Sequence, residues 1–159
     1  MLIAPLSIPD HLVAHGCLLV MNTDAQRRVT YCNAALLEAS GYTRDELLGR
    51  PPALLDHPDM PQELRRDLWA ALEAGDTWSA VVLQQRKDGH AYWVQATAAP
   101  LRESQADARY VIAHARPRHE DVRATKRLYA AMRKGAAEWQ QAMACSMVGA
   151  IASRFAGIA

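Results

Sequence analysis

The spacing of apolar residues along this chain changes several times, and each change marks an element. Leu18-Leu19-Val20-Met21 is a short apolar run ending at Asn22-Thr23-Asp24, and Val29-Thr30-Tyr31-Cys32 resumes with β-favouring residues, so the two predict a hairpin. Asn33 can cap a short helix carrying Leu36 and Leu37 that stops at Ser40-Gly41. Thr43 and Glu46 have the spacing of a capping box, and Gly49 can close the turn after Leu47-Leu48 in a left-handed conformation. Pro51-Pro52 then forbids a longer helix. From Pro61 to Gly75, Leu64, Leu68, Trp69 and Leu72 recur at helical spacing with Arg65, Arg66, Asp67 and Glu73 on the other side, which predicts an amphipathic helix with one buried stripe.

From Thr77 the pattern becomes that of strands. Val81-Val82-Leu83 leads into Asp88-Gly89, a favoured two-residue hairpin turn, and Tyr92-Trp93-Val94 begins the return strand. Pro100 ends the pairing, residues 103–107 form a polar loop, and residues 109–115 read as a last strand. Beyond Pro117 the chain turns helical through Val122, Leu128 and Met132, with Gly135 as an interruption. Trp139, Met143, Met147, Ile151 and Phe155 then recur every fourth residue along one side of a helix. Two strands, several short helices, three strands and a final helix predict an α+β fold with an antiparallel sheet. The expected division is an N-terminal cap over 1–16, a domain over 17–117, and a C-terminal helical segment over 118–159 for signalling or dimerisation.

At 159 residues the chain suits one core with an appendage. Its hydrophobic share of 50% and charged share of 22% are those of an ordinary soluble protein, and the net charge of +1 gives no general reason to expect nucleic-acid binding. Residues 116–134 are locally basic, which reads as a solvated helix face. Cys17, Cys32 and Cys145 form no C-x-x-C pair, and the N-terminus has no secretory signal, so a reducing, cytoplasmic setting is expected. Arg154 interrupts the apolar C-terminus, which argues against a membrane span there and for a partner-binding or dimerising helix. No catalytic triad or phosphate loop is visible, so a non-enzymatic role is expected.

Counting outward from an Asp88-Gly89 turn pairs Gln84 with Trp93, Val82 with Gln95, Ala80 with Thr97 and Trp78 with Ala99, all on one face. That face mixes two indoles with carboxamides and a hydroxyl. A heteroaromatic ligand would satisfy these groups; so would water, if the face were simply solvated. On this count three of the four Trp, Trp69, Trp78 and Trp93, line one pocket.

The run Arg28-Val29-Thr30-Tyr31-Cys32-Asn33, followed by Ser40-Gly41-Tyr42-Thr43-Arg44-Asp45-Glu46-Leu47-Leu48-Gly49, resembles the first half of a PAS domain. His57-Pro58-Asp59-Met60-Pro61, Asp67-Leu68-Trp69, Trp78, Arg86-Lys87-Asp88-Gly89 and Tyr92-Trp93-Val94 are similar, more particularly, to the PAS domains of aerotaxis transducers, which bind FAD. The resemblance implies a five-stranded antiparallel sheet with short helices on one face and a noncovalent FAD between them. It implies a cytoplasmic redox or oxygen sensor that dimerises and signals to an output domain or a chemotaxis-type partner. A cofactor-free interaction module and a haem-binding gas sensor are the other roles open to such a fold. With the turn counting, the resemblance implies cofactor-binding roles for His57, Asp59, Trp69, Trp78, Gln84, Arg86, Tyr92 and Trp93. Asp56 and Gln85 stand where that family usually has Arg, and Gln84 where it often has Asn; the exchange at Asp56 removes a cation suited to the FAD pyrophosphate.

Overall fold

Asn33 joins the first hairpin to the first helix with one side chain. β1 (Leu19–Thr23) and β2 (Val29–Cys32) pair antiparallel. The Asn33 carboxamide oxygen then accepts from the backbone N–H of Val20 at 3.1 Å and of Leu36 at 3.0 Å, while its nitrogen donates to the Leu18 carbonyl at 2.9 Å. The Leu36 bond caps α1 (Ala34–Ser40), which Gly41 ends at a φ of 76°. Both halves of the Thr43–Glu46 capping box are formed at the start of α2 (Arg44–Leu47). A 3-10 turn follows over Pro52–Leu55, then α3 (Gln62–Glu73), which begins directly after Pro61 and buries Leu64, Leu68, Trp69 and Leu72 as its spacing predicts.

The computed structural model describes Val13 and residues 16–102 and 108–134. Three further strands, β3 (Trp78–Gln85), β4 (Ala91–Pro100) and β5 (Tyr110–Ala115), complete one antiparallel sheet in the order β2-β1-β5-β4-β3. The elements between β2 and β3 lie over one face of this sheet, and the α+β architecture is the one expected. α4 (His119–Lys134) follows β5 and packs on β3, burying Thr125, Leu128, Tyr129 and Ala131. The predicted N-terminal cap apart from Val13 and Gly16, the polar loop at 103–107, the Gly135 interruption and the Trp139 to Phe155 stripe lie outside the described residues.

The β3–β4 turn differs from the expected one. The loop holds three residues, Lys87, Asp88 and Gly89: the Arg86 N–H donates to the His90 carbonyl at 2.8 Å, and the Gly89 N–H to the Arg86 carbonyl at 2.9 Å. Gly89 takes a φ of 93°, and the Asp88 carboxylate accepts from the His90 N–H at 3.0 Å. That hydrogen bond, foremost among several, lowers the Asp88 pKa to about 2. One extra loop residue moves the register by one, so Leu83 rather than Gln84 faces Trp93, Val82 faces Val94, and Trp78 faces Ala98. Because strand side chains alternate, the slip turns Trp93, Gln95 and Thr97 to the face opposite Trp78 and Gln84. The single face with both indoles therefore does not form. β3 is buried on both sides from Ala80 to Gln84, so the solvated-face alternative fails for Gln84, whereas Gln95 is half-buried and Thr97 exposed.

Candidate ligand-binding cavity

The inner face of the sheet carries Met21 from β1, Trp78, Val82 and Gln84 from β3, Ala96 from β4, and Ile112 and His114 from β5. Opposite them stand Pro52, Asp56, Met60 and, from α3, Leu64, Arg65 and Leu68. These residues enclose a cavity of about 390 Å³, its mouth included. Small side chains open it: Ala96 lies between Ala80 and His114, and Ala98 between Trp78 and Ile112. The result is a smooth apolar wall on the sheet side. Much of the cavity's space is open to solvent at the mouth, and the enclosed part is far smaller than the sites that hold drug-sized ligands. Trp78 is fixed by its indole N–H, which donates to the Asp67 carboxylate at 2.7 Å.

One end of the cavity is polar. Asp56 forms an isolated bridge with Gln84 at the edge of β3, and its carboxylate makes an ion pair with Arg65. Burial raises the Asp56 pKa to about 6, the Arg65 charge opposing it. Burial likewise lowers that of His114 to about 4, with Arg65 adding to the effect, so the ring is neutral near pH 7. Gln84 Nε2 lies 3.2 Å from His114 Nε2, and both residues are 3% exposed. Gln84 Oε1, His114 Nδ1 and Arg65 Nε are buried with no hydrogen-bond partner among the described residues. Each such orphan costs about 1 to 3 kcal/mol. A largely apolar lining with unpaired donors and acceptors on the residues at one end is the composition of a site for a ring with heteroatoms on one edge.

Of the residues expected to bind a cofactor, Trp78 and Gln84 line this cavity. Trp69 is buried beside it, edge-on to Tyr110 at 5.8 Å and under the Arg27 guanidinium at 5.0 Å. Trp93 lies on the other side of the sheet, its ring 5.3 Å from that of Tyr129. The expectation that three Trp line one pocket is therefore corrected to one, Trp78. His57 and Asp59 form a turn, with the Asp59 N–H donating to His57 Nδ1 at 3.0 Å; His57 itself donates its N–H to the Leu83 carbonyl at 3.2 Å. Arg86 holds the end of α1, donating to the Ala39 carbonyl at 2.6 Å. Tyr92 is buried opposite Gln84, with burial raising the pKa of its hydroxyl.

The residues that sequence reasoning missed are Arg65 and His114. Arg65 was expected on the solvent side of α3, yet it turns inward because Asp56 gives its charge a partner there. His114 shares a face with Tyr110 and Ile112 at spacings of two in β5, so alternation along that strand was the signal available.

A family model described as PAS fold matches residues 29–115. The Aerotaxis receptor of Escherichia coli (strain K12) is 36% identical over 123 residues, which is 77% of this chain and 24% of that protein. The Nitrogen fixation regulatory protein of Klebsiella pneumoniae is 28% identical over 102 residues, 64% of this chain and 21% of that protein. The chain thus spans under a quarter of the length of these curated relatives. Among solved structures, the light state of the blue-light photoreceptor Aureochrome1 LOV superposes with a TM-score of 0.58 at 23% identity, over 71% of this chain and 93% of that one. With the family match covering more than half of its length and the five-stranded order in place, this chain belongs to the PAS fold family.

Proposed function

We propose that this PAS module is a redox or oxygen sensor that holds FAD noncovalently and relays the flavin redox state to a signalling partner, as in aerotaxis. The observation that carries the reading is the convergence of three unpaired buried atoms, Gln84 Oε1, His114 Nδ1 and Arg65 Nε, at one end of an otherwise apolar cavity. Trp78, Val82 and Ala96 supply a flat wall for the flavin ring system, and the polar end supplies donors and acceptors for its heteroatom edge. The remainder of a dinucleotide would have to leave the cavity through its mouth. Bound flavin supplies reversible redox chemistry whose reduced form carries additional hydrogen on that edge, so the Gln84 carboxamide must reorient to match it.

Within the chain the signal has a short path to α4. Gln84 adjoins Leu83, whose carbonyl accepts from His57 and whose backbone lies against Tyr129. The module works as a homodimer in the cytoplasm, and α4 together with the residues after it carries the signal to an output domain or chemotaxis-type partner. Among the described residues no helix is long and apolar enough to cross a membrane.

The test is a visible spectrum of the purified protein before and after added FAD. A yellow protein with the two-banded flavin spectrum, bleached by dithionite, and with weakened uptake in Gln84→Leu is the expected result. A colourless protein that fails to take up FAD, or an intense Soret band in its place, overturns the reading.

A further inference from the structure

The Gln84–His114 contact constrains both side chains at once. An amide nitrogen only donates, so with Gln84 Nε2 at 3.2 Å the His114 Nε2 must accept, and the ring proton of the neutral imidazole must sit on Nδ1. The Gln84 oxygen is thereby left facing the cavity as an acceptor, which agrees with its being unpaired. The reverse arrangement is equally self-consistent: the carboxamide turned half a revolution offers its oxygen to an Nε2–H, and its nitrogen then donates into the cavity. Mixed arrangements place two donors or two acceptors against each other in a dry site, which costs the full value of an unmade bond.

We propose that His114 is a positioning residue that sets which end of the Gln84 carboxamide faces the cavity, tautomer and carboxamide orientation changing only together. The pair then reads the polarity of a ligand edge: an N–H-bearing edge is met with His114 protonated on Nδ1, an accepting edge with His114 protonated on Nε2. The change moves no net charge, since one proton leaves Nδ1 for water and another reaches Nε2. His114 lies in β5, which pairs with β1 and β4 at the centre of the sheet. Carboxamide polarity in the edge strand β3 is thus carried to the central strand. Extending this to a flavin edge rests on the FAD reading above; the pairing itself does not.

The experiment is two-bond ¹H–¹⁵N correlation spectroscopy of the histidine-labelled 159-residue chain near pH 7, without ligand, with oxidised FAD, and with FAD reduced by dithionite. In the unloaded protein the Nδ1–H tautomer of His114 is expected to predominate, as the Gln84 orientation in this structure requires. That excess is expected to fall toward parity in Gln84→Leu. An Nε2–H or doubly protonated ring in the unloaded wild type overturns the proposal, as does a tautomer ratio unmoved by Gln84→Leu. Loaded protein is expected to show Nε2–H with oxidised FAD and Nδ1–H after reduction; one tautomer in both states overturns the coupling while leaving FAD binding intact. Protein that takes up no FAD removes the flavin reading, and the unloaded spectra then decide the pairing alone.

Discussion

Asp56 and His114 share the polar end of the cavity and titrate in opposite senses. Burial takes His114 from 6.5 down to about 4, so the unfolded chain binds this proton first, and the stability present above about 6.5 is lost as pH falls toward 4. Burial takes Asp56 from 3.8 up to about 6, so the folded chain binds that proton first, and stability falls as pH rises through this range. Between pH 4 and 6 the two contributions cancel, because folded and unfolded chains each hold one of the two protons. His114→Asn removes one side of the balance. Its unfolding free energy, relative to wild type, is expected to decline from pH 4 to 6 with a slope approaching about 1.4 kcal/mol per pH unit. Asp56→Asn is expected to show the opposite slope between pH 4 and 6.5. Urea titrations across this range measure both, and parallel curves for the two variants would contradict the assignment. None of this was legible from residue identity, because a His or Asp acquires its shift from what surrounds it.

At the scale of elements, local hydrogen bonding made some features readable and hid others. The Asn33 cap, the Thr43–Glu46 box and the stripe of α3 were legible because their partners lie within a few residues of one another. The β3–β4 register was not, since it depends on whether the loop holds two or three residues, and Asp88-Gly89 suits either. In the three-residue form Gly89 carries the left-handed conformation, and no atom beyond its chain neighbours lies closer than 4.0 Å to a Cβ added there. Gly89→Ala is therefore a test of strain without a clash. It is expected to destabilise by about 1 kcal/mol, read as a lower urea midpoint at unchanged m-value. An unchanged midpoint would place that conformation elsewhere in the loop.

For the whole molecule, the decisive arrangement is an edge strand, β3, buried on both sides from Ala80 to Gln84. The cavity occupies one face, and α4 covers β3 and β4 on the other through the Tyr129–Trp93 contact. The Tyr129 hydroxyl has its pKa raised by burial, with Asp56 adding to the rise and the Leu83 backbone opposing it. The back of the sheet is thus electrostatically in touch with the polar end of the cavity. Tyr129→Ala is expected to cost about 3 kcal/mol of packing and to release α4. Amide hydrogen exchange would show this as lost protection confined largely to residues 119–134, whereas Tyr129→Phe should keep that protection. Uniform protection in both variants would mean that other contacts hold the helix.

The sequence alone determined the order of elements, the antiparallel α+β class and the PAS resemblance, because these rest on periodicity, caps and turn residues whose physics is local. It also marked Trp78 and Gln84, through the motifs beside them and the alternation of β3. The tertiary structure alone decided that Trp93 faces α4, that Arg65 turns inward to Asp56, and that His114 meets Gln84. These depend on one residue of register, on how the chain turns back between Asp56 and α3, or on a partner thirty positions away, which no periodicity encodes. The site is thus a product of register as much as of composition: one residue added to the loop after Arg86 separates a face with two indoles from a cavity with one indole and four polar side chains.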